Sequence, residues 1–270
     1  MRSDLTLMAV HAHPDDEVIG TGGVLARYSA EGIRTVLVTC TNGEQGDAPG
    51  GLKPADAGHD KTLVAELRLA ELRSSAAGLG VSHLEVLGYR DSGMAGWGAN
   101  QDPGVFCNIA LAGVTGRIAG LMRRYQPQVV VTYDENGGYG HPDHIQAHRA
   151  TVAAAASTGI PAKLYYSAVP RSAFAELRRR LEASGVDIGK MGVPPDFGVA
   201  DELVTTLVDV SGYIDRKRQA LAAHASQAGN FFFTHLPEDV LTLALSREWF
   251  TLRSAPDGLT GEDDLLAGLR

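Results

Sequence analysis

Leu5-Thr6-Leu7-Met8-Ala9-Val10 runs into His11-Ala12-His13-Pro14-Asp15-Asp16, and Gln128-Val129-Val130-Val131-Thr132-Tyr133 leads to a second turn of the same kind, His141-Pro142-Asp143-His144. Each apolar run has the length of a buried strand. Each His-Pro-Asp turn reads as a loop passing into a helix that opens at proline, the residue most at home in a first turn.

Working outward from these two units, strand and helix alternate. A strand over 5–11 leads to a helix over 18–31, ending at Glu31-Gly32. The next strand, 33–40, carries Ile33, Val36, Leu37, Val38 and Cys40, too continuously apolar for a half-exposed sheet face. Residues 41–60 are dense in Gly, Pro, Asp and Asn and form a long loop. A helix over 62–78 has Leu63, Leu67 and Ala70 at helical spacing, and a strand follows near 83–88. A Gly-rich loop at 91–104, a helix to about residue 125, the strand 128–133, a helix from His141 to about 158 and a strand at 162–167 complete the pattern. The expectation is an α/β, Rossmann-like fold with a mostly parallel sheet flanked by helices.

Beyond residue 170 the period is less regular. A helix over 171–183, a strand within Asp201–Val210 and a helix over 212–225 are expected, with Phe231-Phe232-Phe233 as core or pocket wall. No linker or second motif set is visible, so residues 1–270 are read as a single domain, core 1–168 with a C-terminal elaboration 169–270. The tetrapeptides are not a structural repeat, because their flanks do not match. Gly20, Gly22 and Gly23 lack the G-x-G-x-x-G spacing of a dinucleotide loop and read as close packing.

An apolar share of 44% is ample for a sizeable core, and a net charge of −8 argues against nucleic acid as substrate. Cys40 and Cys107 form no spaced ligand motif and read as buried thiols in a reducing cytosol. No signal pattern is present, and no apolar stretch nears the roughly 20 residues that span a bilayer. A cytoplasmic enzyme is expected, acting on a small molecule without nucleic acid or membrane, with homo-oligomerisation left open.

Positions one and four of each tetrapeptide are three residues apart, so a helical turn places them on one face. Two facing turns would converge His13, Asp16, His141 and His144. Nitrogen and carboxylate donors in that number suit zinc, with one position left for water, and iron(II) accepts similar ligands. Such a water has its pKa lowered to about 7. A carboxylate can take its proton and pass it to a leaving amine, while a histidine stabilises the oxyanion. Asp15, Asp143 and Glu17 remain for such work.

His11-Ala12-His13-Pro14-Asp15-Asp16-Glu17 together with Gly137-Gly138-Tyr139-Gly140-His141-Pro142-Asp143-His144 resembles the LmbE-like (PIG-L) N-deacetylase family, and most its mycothiol-pathway branch. The resemblance covers roughly residues 5–160, including Thr39-Cys40-Thr41-Asn42-Gly43-Glu44, Asp91-Ser92-Gly93-Met94 and Tyr133-Asp134-Glu135-Asn136. It implies that His13, Asp16 and His144 bind zinc, that Asp15 is general base and then acid, and that His141 stabilises the oxyanion with Asp143 holding its ring. It further implies that Tyr139 swings over the site and that Arg68 and Asp91 contact sugar hydroxyls. Asp47 falls where relatives have glutamate, at the more distant part of the substrate.

The plainer readings are specific too. His11 ends a strand and positions the loop; Arg68 pairs with Glu71 on a helix surface; Asp91 opens a turn; His224 lies at the pocket mouth or on a helix surface. The functional expectation is a zinc-dependent N-deacetylase of an N-acetylglucosaminyl-type small molecule. An amidase on a larger thiol-sugar conjugate or specialised-metabolite intermediate is the alternative, and a metal-retaining binding protein without turnover the second.

Overall fold

Every residue of β1 (Thr6–His11) is buried, and its side chains divide between two cores: Leu7 and Ala9 enter one apolar cluster, Met8 and Val10 another. Successive strand residues face opposite sides, so a strand apolar on both must be covered on both. The computed structural model describes residues 5–183, 197–230, 236–255 and 262–270. Its strands form one seven-stranded sheet in the order β3-β2-β1-β4-β5-β7-β6.

β2 (Arg34–Thr41), β3 (His83–Tyr89), β4 (Val129–Thr132) and β5 (Lys163–Ala168) run parallel to β1, as expected. On one face, α1 (Asp16–Ala30) and α2 (Lys61–Leu79) insert Val24, Leu25, Leu72 and Leu79. On the other, α3 (Leu111–Tyr125) and α5 (Pro142–Thr158) insert Val114, Ile118, Ala147 and Ala150. Burying the larger of these side chains contributes roughly 1.5–3 kcal/mol each, which holds the helices to the sheet. Between β4 and α5 lies α4 (Gly137–Gly140), a single distorted turn.

From β1 the chain builds β2 and β3 to one side, then crosses back to lay down β4 and β5 on the other. The strand order therefore reverses between β1 and β4, and ligands of open sheets bind at the carboxyl ends beside such a reversal. β1 ends at His11 and β4 at Thr132, so both tetrapeptides leave the sheet there.

The parallel order stops at β5. β7 (Arg247–Ser254) joins it antiparallel, and β6 (Thr206–Asp209) pairs antiparallel with β7. β7 is unforeseen from the sequence, and only the second half of 201–210 is strand; its start is a 3-10 turn at Asp201–Leu203. α6 (Arg171–Ala183), α7 (Ile214–Ala223) and α8 (Glu238–Leu245) accompany these strands. Phe231-Phe232-Phe233 lies outside the described residues.

Two other expectations need adjustment. The first tetrapeptide does not begin its helix at Pro14: α1 starts at Asp16, after Asp15 turns to φ 114°. Cys107 is half-buried rather than buried, and both cysteines are free. The glycines of α1 do serve close packing, since a Cβ on Gly23 would lie 2.5 Å from Val210 Cγ2. Among the described residues, no helix is long and apolar enough to cross a membrane.

Candidate metal and active site

The two turns meet. His13 Nδ1 lies 3.2 Å from Asp16 Oδ2 and 3.3 Å from His144 Nε2, and His144 Nε2 lies 3.4 Å from Asp16 Oδ1. Tetrahedral donors at zinc distances stand about 3.4 Å apart, so the two nitrogens, with the Asp16 carboxylate meeting each through a different oxygen, form a triangle of groups spaced for a small divalent cation. His141 completes the cluster, its ring centroid 4.5 Å from that of His13 and 4.8 Å from that of His144. All three histidines are buried.

The outer face of each donor is fixed, as metal ligands require. His13 Nε2–H donates to Asp143 Oδ2 at 3.1 Å, which turns Nδ1 toward Asp16 and His144. His144 Nδ1–H donates to the Gly137 carbonyl at 3.0 Å, leaving Nε2 for the site. Gly137 has φ 62°, and a Cβ there would lie 2.6 Å from that of His144, so the carbonyl can approach only from glycine. Asp16 Oδ2 accepts from the Tyr133 hydroxyl at 2.6 Å and from its neighbour's backbone, His13 N, at 2.8 Å. Tyr133 in turn stacks on His144 with centroids 4.1 Å apart.

The electrostatics favour a cation. Burial pushes His13 down, yet Asp91, Asp143 and Asp16 outweigh it and hold the ring well above its ordinary value. Burial pushes Asp16 up, but His144 and His13 hold it well below the usual carboxylate range. The field that draws a proton onto His13 is one a divalent ion would satisfy instead.

Asp143 requires a correction. Its carboxylate does not hold the His141 ring: it faces His13, and its two oxygens also accept from the Ser92 amide (2.9 Å) and the Ser92 hydroxyl. The His141 ring is set instead by its own place at the start of α5, where Nδ1 accepts from Asp143 N at 3.1 Å. That N-cap bond leaves the proton on Nε2. Burial, with the charges of His13 and His144, pushes His141 down to about 2, so the ring is a neutral donor.

Asp15 sits beside the triangle with its backbone at φ 114°, ψ −28°. A non-glycine residue there costs of order 1–3 kcal/mol and persists only where its surroundings impose it. Arg68 Nη2 donates to its carboxylate at 2.8 Å and to the Pro14 carbonyl at 2.6 Å, while Glu17 Oε2 accepts from its amide at 2.9 Å. Burial pushes the Asp15 carboxyl up to about 6, against the opposing pull of Arg68. Arg68 is thus buried and aimed at Asp15 and Gly43, while Glu71 bonds to Ser226, so the surface pair with Glu71 does not form.

Asp91 both opens the expected turn, accepting from Gly93 N at 2.8 Å, and stands 3.5 Å from His13 Nε2. Asp47 lies farther out on the long loop, its carboxylate 2.6 Å from Lys53. Tyr139 is 45% exposed between Gly138 and Gly140, both at positive φ, with its ring centroid 5.1 Å from that of His144. His11 ends β1 and bonds Thr21 Oγ1 at 2.8 Å, the structural part expected of it. His224 is neither at the mouth nor on a surface: it is fully buried, 2.7 Å from Glu17. Burial would push Glu17 up, but His224 and then Ser75 hold it below its ordinary value.

Sequence reasoning missed Tyr133 and Ser92 as site-building residues, and it named His224 without placing it against Glu17. Tyr133 and Ser92 carried a signal, lying in stretches that flank the motifs. One cleft of ≈ 1370 Å³ takes in Asp15, Tyr139, Asp47 and the donor triangle. Its rim carries Met94 and Trp97, each 40% exposed.

Residues 8–155 match the family model PIG-L, described as GlcNAc-PI de-N-acetylase. The chain is 43% identical over 279 residues to a 1D-myo-inositol 2-acetamido-2-deoxy-alpha-D-glucopyranoside deacetylase of Acidothermus cellulolyticus, covering 98% of this chain and 95% of that one. Among solved structures it shares its fold with the N,N'-diacetylchitobiose deacetylase of Pyrococcus horikoshii, at TM-score 0.58 and 20% identity over 93% of this chain and 87% of that one. It shares it equally with GalB of Pseudomonas putida, a 4-carboxy-2-hydroxymuconate hydratase, at TM-score 0.60 and 17% identity over 94% and 98% of the two chains. The fold thus hosts more than one reaction. With its paired His-Pro-Asp turns, the matched core and a relative aligned almost end to end, the chain belongs to the PIG-L family.

Proposed function

We propose that this chain is a metal-dependent hydrolase that removes the N-acetyl group from a glucosaminyl–inositol conjugate, the kind of substrate for which its Acidothermus relative is named. The observation that carries the reading is a donor triangle of 3.2–3.4 Å edges with Asp15 and His141 beside it in one cleft.

His13, Asp16 and His144 would hold the ion, zinc by the nature of the donors, with iron(II) compatible with the same set. When bound, such an ion supplies a water acidic enough to act near neutrality. Asp15 takes a proton from the nucleophile and returns it to the departing amine, and Arg68 keeps its carboxylate aimed. His141 donates its Nε2–H to the oxyanion of the tetrahedral intermediate. Asp143 acts on His13 rather than on His141, fixing the ring that faces the ion. Tyr139, flanked by two glycines, reaches over the amide carbonyl. Asp91 and Arg68 border the sugar, Asp47 the second ring, and the indole of Trp97 offers an apolar face to ring C–H groups. Residues 1–270 are read as one unit, supported by β6 and β7 extending the sheet that carries the site.

Acetate release from an N-acetylglucosaminyl–inositol, with and without chelator, tests this. Release that EDTA stops and zinc restores is expected. A metal-loaded protein that frees neither acetate nor amine overturns the reading and leaves a binding protein. The cleft's size favours a second reading, an amidase on a larger conjugate, because its lining also includes the apolar Phe174, Leu177, Leu245 and Trp249. A higher kcat/KM on an S-substituted thiol-sugar conjugate than on the acetylated sugar would select it.

A further inference from the structure

We propose that His224-Ala225-Ser226-Gln227, at the end of α7, is the buttress that positions the catalytic loop, and that this is the working contribution of the C-terminal third. The proposal rests on Asp15 acting as the acid-base group.

The segment reaches three separate pieces of the site. His224 Nε2 lies 2.7 Å from Glu17 Oε1, across 207 residues of sequence. Ser226 donates to Glu71 of α2 through both its amide and its hydroxyl, at 2.7 Å each. Gln227 accepts from the Asp47 amide at 3.1 Å and donates to the Asp47 carbonyl at 3.0 Å, clasping the long loop as a strand neighbour would.

The first contact matters most. Asp15 occupies a backbone conformation that it would not adopt unaided. The Glu17 carboxylate imposes it by accepting the Asp15 amide through Oε2, while Oε1 is held by Ser75 at 2.5 Å and by His224. Glu17, Ser75 and His224 are all fully buried, so the Glu17 oxygens depend on these side chains and not on bulk water for their hydrogen bonds. Without His224 the carboxylate can rotate off the Asp15 amide, and Asp15 relaxes away from the cleft. His224 is therefore a positioning residue, acting on turnover through Asp15.

Gln227 acts elsewhere. Gly46 lies between Arg68 and Gln227, where a Cβ would come within 2.7 Å of both side chains. The loop carrying Asp47 is thus seated on Gln227, and its loss would move the outer part of the cleft while leaving Asp15 in place.

The two ends of one short segment should consequently fail in different ways. On N-acetylglucosaminyl–inositol, His224→Ala should lower kcat about 10- to 100-fold with KM nearly unchanged and metal content intact, the scale of a misplacement near 1 Å. His224→Gln, whose amide nitrogen stands where Nε2 did, should recover most of that loss. Gln227→Ala should raise KM roughly 3- to 10-fold, the worth of one or two neutral hydrogen bonds, with kcat kept. Full kcat in His224→Ala overturns the proposal, as does a folded, metal-replete His224→Gln as slow as the alanine variant. If His224→Ala does not fold, Ser75→Ala removes a donor from the same Glu17 oxygen and must show the same loss confined to kcat; unchanged kcat there also overturns it. Asp15→Ala in parallel separates the two levels. An active Asp15→Ala sinks the catalytic reading, whereas an inactive Asp15→Ala beside fully active His224→Ala and Ser75→Ala sinks the buttress alone.

Discussion

The two His-Pro-Asp turns share three residues in sequence and almost nothing in backbone. In the second, His141 caps the helix, Pro142 is its first residue, and Asp143 is helical and fully buried. In the first, the chain delays: Asp15 swings to φ 114°, and only Asp16 enters α1. The same third-position aspartate is thus turned into the cleft in one copy and away from it, behind a metal-site histidine, in the other. The difference comes from what surrounds each turn. Arg68 and Glu17 grip Asp15 from two sides, while Ser92 and His13 receive Asp143. Identical residues are turned to opposite settings by their neighbours.

The contrast can be broken at its common point first. On the proposed reading an ion would join both copies, so chelation, His13→Ala or His144→Ala should remove metal and activity together, read by metal analysis beside acetate release. Next, the two aspartates should part company. Asp15→Ala should keep its metal and lose about 10²–10⁴-fold in turnover, the range for a positioned acid-base group. Asp143→Ala should weaken metal affinity about 10–100-fold, and excess zinc should restore much of its activity. Equal metal affinity in the two variants would contradict the division of labour. The smallest effect is on stability. Asp15→Gly should melt above Asp15→Ala, the glycine being about 1 kcal/mol better in that conformation. At Asp143, inside a helix, the order should reverse by up to about 1 kcal/mol.

β1, β2 and β4 were legible because they are buried on both faces and read as near-continuous apolar runs, whereas β3, with Glu85 inside it and a largely half-buried pattern, and β5 were legible from their place in the alternation of strand and helix. That the turns would lie at strand ends and converge followed from the same pattern. β7 was not legible: Arg247-Glu248-Trp249-Phe250 mixes charge with aromatic residues, and Glu248 is tolerated inside only because Lys217 meets it at 2.6 Å and two α1 amides bond to it. The orientation of Asp143 was hidden for a similar reason. Its partners, His13 and Ser92, are 130 and 51 positions away, and no local spacing announces such contacts. Nor does a sequence show a strained φ at a residue other than glycine; Asp15 reveals it only once its clamps are visible.

Tyr133 stands one residue past β4, yet its hydroxyl accepts from the Ala12 amide at 2.7 Å and donates to Asp16 across the gap between two strand ends. One phenol thereby sets the width of the crevice, much as a spacer fixes the throw of a hinge. Any twist of the sheet that tried to part β1 from β4 would have to tear both bonds and unstack the ring from His144. The spacing of the candidate donors is therefore tied to β1 and β4 and not to the outer strands β3 and β6.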